Sequence, residues 1–209
     1  MDKIICVGKN YPEHALELGD AVPEKPVLFL KPPSVAFRVH ERGGTVRVPL
    51  PTGRGIVHHE CEIVVRLGRG GSALSLGEAG AAIDAVTLGL DMTLREVQQK
   101  LKKLGQPWEI AKVFPGSAVI GPWLEGDEAR AFASQPFSIA VDGTVRQTGQ
   151  ESQMTLSPAA CVAYASEFFE LRPGDVLFTG TPAGVGAVTP GQTAELRWGN
   201  TVLARVAWI

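Results

Sequence analysis

Short apolar runs closed by Gly or Pro set the rhythm of this chain. Rich in Val, Ile and Leu, they predict strands over Ile4–Val7, Val27–Leu30, Cys61–Leu67, Ala85–Leu90, Phe137–Val141, Val176–Thr179, Ala194–Trp198 and Val202–Trp208. Asp142-Gly143 predicts a hairpin turn between two such runs, and Gly199-Asn200 predicts another. Helical spacing is sparser. Thr93 and Glu96 stand at capping-box spacing, and Val97, Leu101 and Leu104 then recur until Gly105. Ser157-Pro158 opens a second helix, which runs towards Glu170 and stops before Pro173-Gly174. A third, short helix is predicted from about Pro12 to Leu18, opened by Asn10 and closed by Gly19. Many strands and few helices in irregular order give the α+β class. No linker-like stretch or internal repeat divides the chain, which reads as a single domain over residues 1–209.

Composition narrows the function. Of 209 residues, 44% are hydrophobic, enough for one sizeable core, and the formal charge of −2 gives no general attraction to phosphate backbones or anionic membranes. No nucleic-acid or membrane partner is expected. Cys6, Cys61 and Cys161 are odd in number and lack CxxC spacing, so they form neither a disulfide framework nor a zinc ribbon. They read as reduced thiols of a cytoplasmic protein, acting as small hydrophobes. The opening MDKIICVGKNYPEH reaches Gly, Asn and Pro too early for a signal peptide. No apolar run approaches the roughly 20 residues that span a bilayer.

Candidate chemistry begins at HHECEIVVRLG. Glu60 and Glu62 flank Cys61 at the head of an apolar strand, and the period of 2 turns both carboxylates to one face. Side by side they repel, and a metal cation is the simplest remedy. Two ordinary glutamates on a solvent face are the better reading of this pair taken alone. Asp91 shifts the balance, because it ends the run AVTLGL directly before a predicted helix. Three oxygen donors without sulfur suit a hard cation, Mg2+ or Mn2+, with about three octahedral positions left for water and substrate. His58 and His59 suggest zinc, but no HExxH is present, and one of the two is expected to pack or to support a ligand.

With these residues in view, the chain resembles the fumarylacetoacetate hydrolase family. The match rests on CVGKNYPEH, PVLFLKPPS, HHECEIVV, GLDMTLREVQ, PWEIAKVF and FTGTPAGVG, in family order and nearly end to end. It is most similar to the short acylpyruvate hydrolase and oxaloacetate decarboxylase branch and to the 2-hydroxyhepta-2,4-diene-1,7-dioate isomerases of aromatic catabolism. The resemblance implies a mixed β-sandwich roll, a homodimer, and a Mg2+ or Mn2+ ion on Glu60, Glu62 and Asp91. Longer relatives take a fourth acidic ligand from an earlier segment, for which this sequence has no clear counterpart. Their separate N-terminal domain has none either.

The resemblance also assigns roles that spacing leaves open. His14 and Glu17 share a helix face at i and i+3, which alone fits a solvated surface; the family places its His-Glu general base here. Residues 10–19 then form a lid that orders over the site. Lys112, otherwise an ordinary surface lysine, becomes the catalytic cation that steadies an oxyanion together with Gln98. Arg95 becomes a substrate contact, Lys31 a weaker one, and Thr181 a donor to the substrate carboxylate. Without the resemblance, TGTPAGVG is plain turn chemistry, since it lacks a Walker lysine and a following helix. Trp108 reads as core.

The implied activity is metal-dependent hydrolysis of a C–C bond in an acylpyruvate, or decarboxylation through an enolate held by the metal. Isomerisation of 2-hydroxyhepta-2,4-diene-1,7-dioate is the alternative. A keto-acid binding protein without catalysis is the alternative of another class, though it would not need a general base on a mobile segment.

Overall fold

The computed structural model describes residues 1–17, 19 and 25–209. The strands, in chain order, are β1 (Ile4–Gly8), β2 (Val27–Lys31), β3 (Ala36–Arg38), β4 (Gly44–Val48), β5 (Val57–His59), β6 (Cys61–Leu67), β7 (Ile83–Asp91), β8 (Thr93–Leu94), β9 (Ala118–Ile120), β10 (Leu124–Glu125), β11 (Phe137–Val141), β12 (Thr144–Gly149), β13 (Val176–Phe178), β14 (Gly186–Val188), β15 (Thr193–Trp198) and β16 (Thr201–Trp208). The helices are α1 (Pro12–Glu17), α2 (Leu76–Ala82), α3 (Arg95–Lys103), α4 (Glu109–Lys112), α5 (Gly126–Ala133) and α6 (Pro158–Ser166).

Three sheets result. An eight-stranded sheet runs β2-β1-β13-β6-β7-β9-β3, with β10 beside β7. A five-stranded sheet runs β12-β11-β15-β16-β4, and a three-stranded sheet runs β14-β5-β8. The two larger sheets meet over one apolar core, to which β6 and β7 give Ile63, Leu88 and Leu90, and the smaller sheet gives Ile139, Leu196 and Val206. A second apolar cluster joins Ile5, Val65 and Leu177 to Ala79 of α2 and Val162 of α6. Side chains that alternate across a strand explain how one sheet serves both clusters.

All eight predicted strands are present, with ends shifted by at most a few residues. The Asp142-Gly143 hairpin has φ of 47° and 77°, the left-handed pair that suits a two-residue turn. Ser157 caps α6 by accepting from Ala160 N–H at 3.3 Å, but the helix stops at Ser166, short of Glu170. Leu18, the expected end of the first helix, lies outside the described residues. Asn10 does not open that helix. It is buried, and its amide bonds Leu156 O and Thr179 O, each at 2.8 Å.

The capping box also stands elsewhere. Thr93 lies in β8, and α3 begins after Leu94 with no side-chain cap. Ser75 and Glu78 form the reciprocal box instead, at the head of α2. Thr93 is buried and engaged by another group, described below. No helix among the described residues is long and apolar enough to cross a membrane.

Candidate metal centre

Strand register builds the site. Across β6 and β7, Glu62 lies opposite Gly89 and Cys61 opposite Leu90, and Asp91 N–H donates to Glu60 O at 2.9 Å. Glu60, Glu62 and Asp91 therefore share one sheet face, as the alternation requires. All three are buried, and one carboxylate oxygen from each lies within 4.8 Å of the others. Gly89 leaves this face bare because it must. A Cβ there would stand 2.6 Å from Val119 O and 2.7 Å from Val64 Cγ2.

The charges are balanced differently from the expectation. The repulsion that pointed to a metal is met first by the protein's own cations. Lys112 Nζ reaches Glu60 Oε2 at 3.0 Å, Asp91 Oδ2 at 2.7 Å and Thr93 Oγ1 at 2.7 Å. All three ammonium hydrogens are thus engaged, and the charge also lies 4.8 Å from the Phe29 ring centroid. Arg95 pairs with Glu60 through Nη2 and donates to Gln98 Oε1 through Nη1 at 2.7 Å. Lys31 sits 2.6 Å from Asp91 Oδ1.

Glu62 stands apart, since no ion pair joins it among the described residues. Its Oε2 accepts from Gly180 N–H at 2.6 Å. Burial, and then Asp91 and Glu60 nearby, push its carboxyl well above the usual range. Burial opposes the charge on Glu60 as well, but Lys112 and Arg95 outweigh it and hold that carboxyl well below the usual range. Such a cluster suits a hard divalent cation: three converging oxygens, one of them without an ion-pair partner among the described residues. Neither histidine joins it. His59 is buried with Nδ1 2.9 Å from Gln147 Oε1, a supporting place of the kind expected for one of the pair.

The other sequence candidates fall around one cavity. His14, Arg95, Gln98, Lys112 and Thr181 line it together with the three carboxylates. His14 is buried on α1, with Nδ1 3.0 Å from Glu17 Oε2. A carboxylate can only accept, so this contact places the proton on Nδ1 and leaves Nε2 as the basic nitrogen. Glu17 is anchored in turn by Gly184 N–H, which donates to Oε1 at 2.9 Å. Trp108 does more than pack against the core, since it also forms a wall of the cavity.

Two expected substrate contacts are placed otherwise. Lys31 is buried behind Asp91, away from the cavity wall, and donates to Ser117 O at 2.6 Å and Met92 O at 3.2 Å. It braces a carboxylate from the rear. Thr181 lines the cavity, but its hydroxyl hydrogen goes to Cys61 O at 2.8 Å and its oxygen accepts from Gln147 at 2.7 Å. That leaves no donor for a substrate carboxylate. Lys9 and Lys102, which the sequence did not single out, also line the cavity.

The place of Lys31 gives a direct expectation. Lys31→Met removes the buried partner of Asp91 Oδ1, so the carboxylate loses its fixed orientation. Supporting groups of this kind are worth about 10–100-fold in metal affinity. Isothermal titration with Mn2+ should show a loss of that size, and an unchanged affinity would remove Lys31 from the support of the site.

Comparison with known proteins agrees with this geometry. The family model for the C-terminal domain of fumarylacetoacetate (FAA) hydrolases matches residues 3–209. The chain belongs to that family. An oxaloacetate tautomerase of Escherichia coli strain K12 is 37% identical over 99% of this chain and 93% of its own. A mitochondrial oxaloacetate decarboxylase of Dictyostelium discoideum is 35% identical over 92% and 87%. The crystal structure of a Pseudomonas aeruginosa fumarylpyruvate hydrolase, in complex with Mn2+ and pyruvate, superposes with a TM-score of 0.90 at 38% identity, covering 99% of this chain and 90% of that one. The fold is therefore the family's mixed-sheet catalytic fold, and the chain is an enzyme of its metal-dependent hydrolase, decarboxylase and isomerase group.

Proposed function

We propose that this chain is a divalent-metal enzyme that moves a proton between the keto and enol forms of a small 2-oxodicarboxylate of the oxaloacetate type. The observation that carries this is His14, already paired with Glu17 and lining the same cavity as the three carboxylates. Glu60, Glu62 and Asp91 would hold Mg2+ or Mn2+. When bound, the ion supplies Lewis-acid polarisation of the 2-oxo group.

His14 Nε2 would take a proton from the carbon beside the 2-oxo group and deliver it to the 2-oxygen to give the enol, the reverse transfers giving the keto form, with Glu17 stabilising the imidazolium between the two. Gln98 would steady the negative charge that builds on the substrate oxygen, and the Lys112 charge, whose hydrogens are held by Glu60, Asp91 and Thr93, would favour it through space. Arg95, which lines the cavity, would meet the carboxylate next to that oxygen.

An ion held by the three carboxylates would add two positive charges beside Arg95 and Lys112, which line the cavity. Positive charge of this kind draws a dianion more strongly than a monoanion.

The free interior is ≈ 30 Å³, room for about two water-sized bodies. Admission of a four-carbon acid therefore requires an element to lift. The short helix α1, with the segment 10–19 around it, is the natural lid. The family resemblance further implies a homodimer, which light scattering reads directly.

Hydrolysis of an acylpyruvate is the second reading, favoured by the same dyad, which can equally take a proton from water. In it, Gln98 would hold the tetrahedral oxyanion, with the Lys112 charge close by. A panel separates the two: enol-oxaloacetate ketonisation, oxaloacetate decarboxylation, hydrolysis of fumarylpyruvate and acetylpyruvate, and 2-hydroxyhepta-2,4-diene-1,7-dioate isomerisation, each with and without EDTA. Ketonisation should show the highest kcat/KM, fall as ionic strength rises, and vanish with EDTA. Faster hydrolysis of acetylpyruvate, a monoanion, would overturn the reading, as would turnover that survives metal removal.

A further inference from the structure

Strand β13 ends at Phe178, opposite Val64 of β6. Beyond that point β6 continues to the metal ligands with no strand on this edge among the described residues, so its backbone groups need other partners. The Thr179 N–H supplies one at Ile63 O (3.1 Å), and side chains supply others. Thr179 takes Ile63 O through Oγ1 at 2.8 Å, and Thr181 takes Cys61 O through Oγ1 at 2.8 Å. The Cys61 N–H, which lies between the two glutamate ligands, donates to Gln147 Oε1 at 3.0 Å.

Gln147 comes from the other large sheet. Its strand, β12, is mostly exposed, and Gln147 is the one polar side chain there that is fully buried. A register shift explains this. Ile139 pairs with Gln147 and the next residue, Ala140, pairs with Val145, which leaves Arg146 as the extra residue of a bulge. Bulges re-aim side chains, and this one turns Gln147 towards β6. Gly184 then crosses the bulge so closely that a Cβ would stand 2.1 Å from Arg146 O.

The amide is used completely. Oε1 accepts from Cys61 N–H and faces His59 Nδ1 at 2.9 Å, while Nε2 donates to Thr181 Oγ1 at 2.7 Å and Pro182 O at 2.8 Å. The ligand segment and the glycine loop are thus joined through one side chain. That loop gives Gly180 N–H to Glu62 and Gly184 N–H to Glu17.

We infer that Gln147 is a positioning residue that sets the spacing of Glu60 and Glu62 and, through the loop, the seat of the His14–Glu17 base. The inference rests on the metal reading above, and it concerns a residue that touches neither metal nor substrate. Leucine at this place keeps the bulk but leaves the Cys61 N–H without its buried acceptor and removes the donor to Thr181 Oγ1 and Pro182 O.

Mn2+ binding by Gln147→Leu and Thr181→Val is the test, measured by titration calorimetry and by the Mn2+ electron-spin resonance line shape on protein shown by circular dichroism to be folded. Each variant should raise the Kd at least about 10-fold. The double variant should fall well short of the product of the two, because both cut one clamp. Thr181→Val decides the matter if Gln147→Leu does not fold. Wild-type binding with both single variants within about 2-fold of it would overturn the inference alone. A wild-type protein that binds no Mn2+ would instead overturn the metal reading.

Discussion

Asp91→Asn is expected to abolish turnover and to weaken Mn2+ binding by more than the roughly 10–100-fold that supporting groups are worth, because it removes a ligand oxygen itself. The same change should also lower the thermal midpoint of the metal-free protein. Asp91 lies between Lys31 at 2.6 Å and Lys112 at 2.7 Å, both of them buried. Removing its charge strands the desolvated Lys31 ammonium, while Lys112 keeps Glu60 at 3.0 Å, and breaking a buried pair in this way costs about 3–5 kcal/mol. A companion variant separates the two effects. Adding Lys31→Met to Asp91→Asn restores the local charge balance, so the midpoint should recover while metal binding stays lost. Calorimetry with Mn2+ and thermal unfolding in EDTA give both readouts. Binding regained in the double variant would show that Asp91 is no ligand.

Binding should also depend on pH in a stated direction. Burial, with Asp91 and Glu60 close by, raises the Glu62 carboxyl, and only its ionised form can bind a cation. Affinity therefore strengthens as pH rises through that raised value, with proton release on binding. For the stability of the metal-free fold the sign is opposite. The contribution of Glu62 is full below the ordinary carboxylate pKa and is lost as pH rises through the raised one.

The second large effect is kinetic. His14→Ala should lower kcat by about 10²–10⁴, the usual worth of a positioned acid–base group, while leaving the Kd for Mn2+ within a few-fold. Glu17→Gln should cost less, since the imidazole remains and loses only its orienting carboxylate. The split matters because His14 is not among the three converging carboxylates, yet it lines the same cavity. Single-turnover kinetics beside a metal titration tests it. Unchanged turnover in His14→Ala would take the pair out of the mechanism, and lost metal binding would show that its role is structural.

What the sequence disclosed follows from what a linear pattern can carry. Period-2 alternation put Glu60 and Glu62 on one face, and the strand end put Asp91 nearby, because these are local properties of a strand. The long apolar strands were legible for the same reason. Strands such as β8 and β9 were not, since they span only Thr93–Leu94 and Ala118–Ile120 and exist through their neighbours.

Partners distant in sequence were the main loss. Lys31 follows a strand and reads as a side chain free to meet substrate, but its role is set by Asp91, Met92 and Ser117 across the sheet. Thr181 is read correctly as part of a glycine-rich turn, and its hydroxyl is taken by Cys61 and Gln147. Thr93 has the spacing of a cap, yet burial beside Lys112 gives it another partner. Gln147 had one faint signal, a lone glutamine after a DG hairpin, and nothing in the sequence marks the bulge that turns it inward.

The account stands on three carboxylates acting as one cation site, and counting bound Mn2+ on protein stripped by chelator tests that most directly. One ion per chain should bind, compete with Mg2+, and fail to bind when Glu60 and Glu62 are both replaced by glutamine. A stripped protein that takes up no ion, or a double variant that binds as the wild type does, would contradict it.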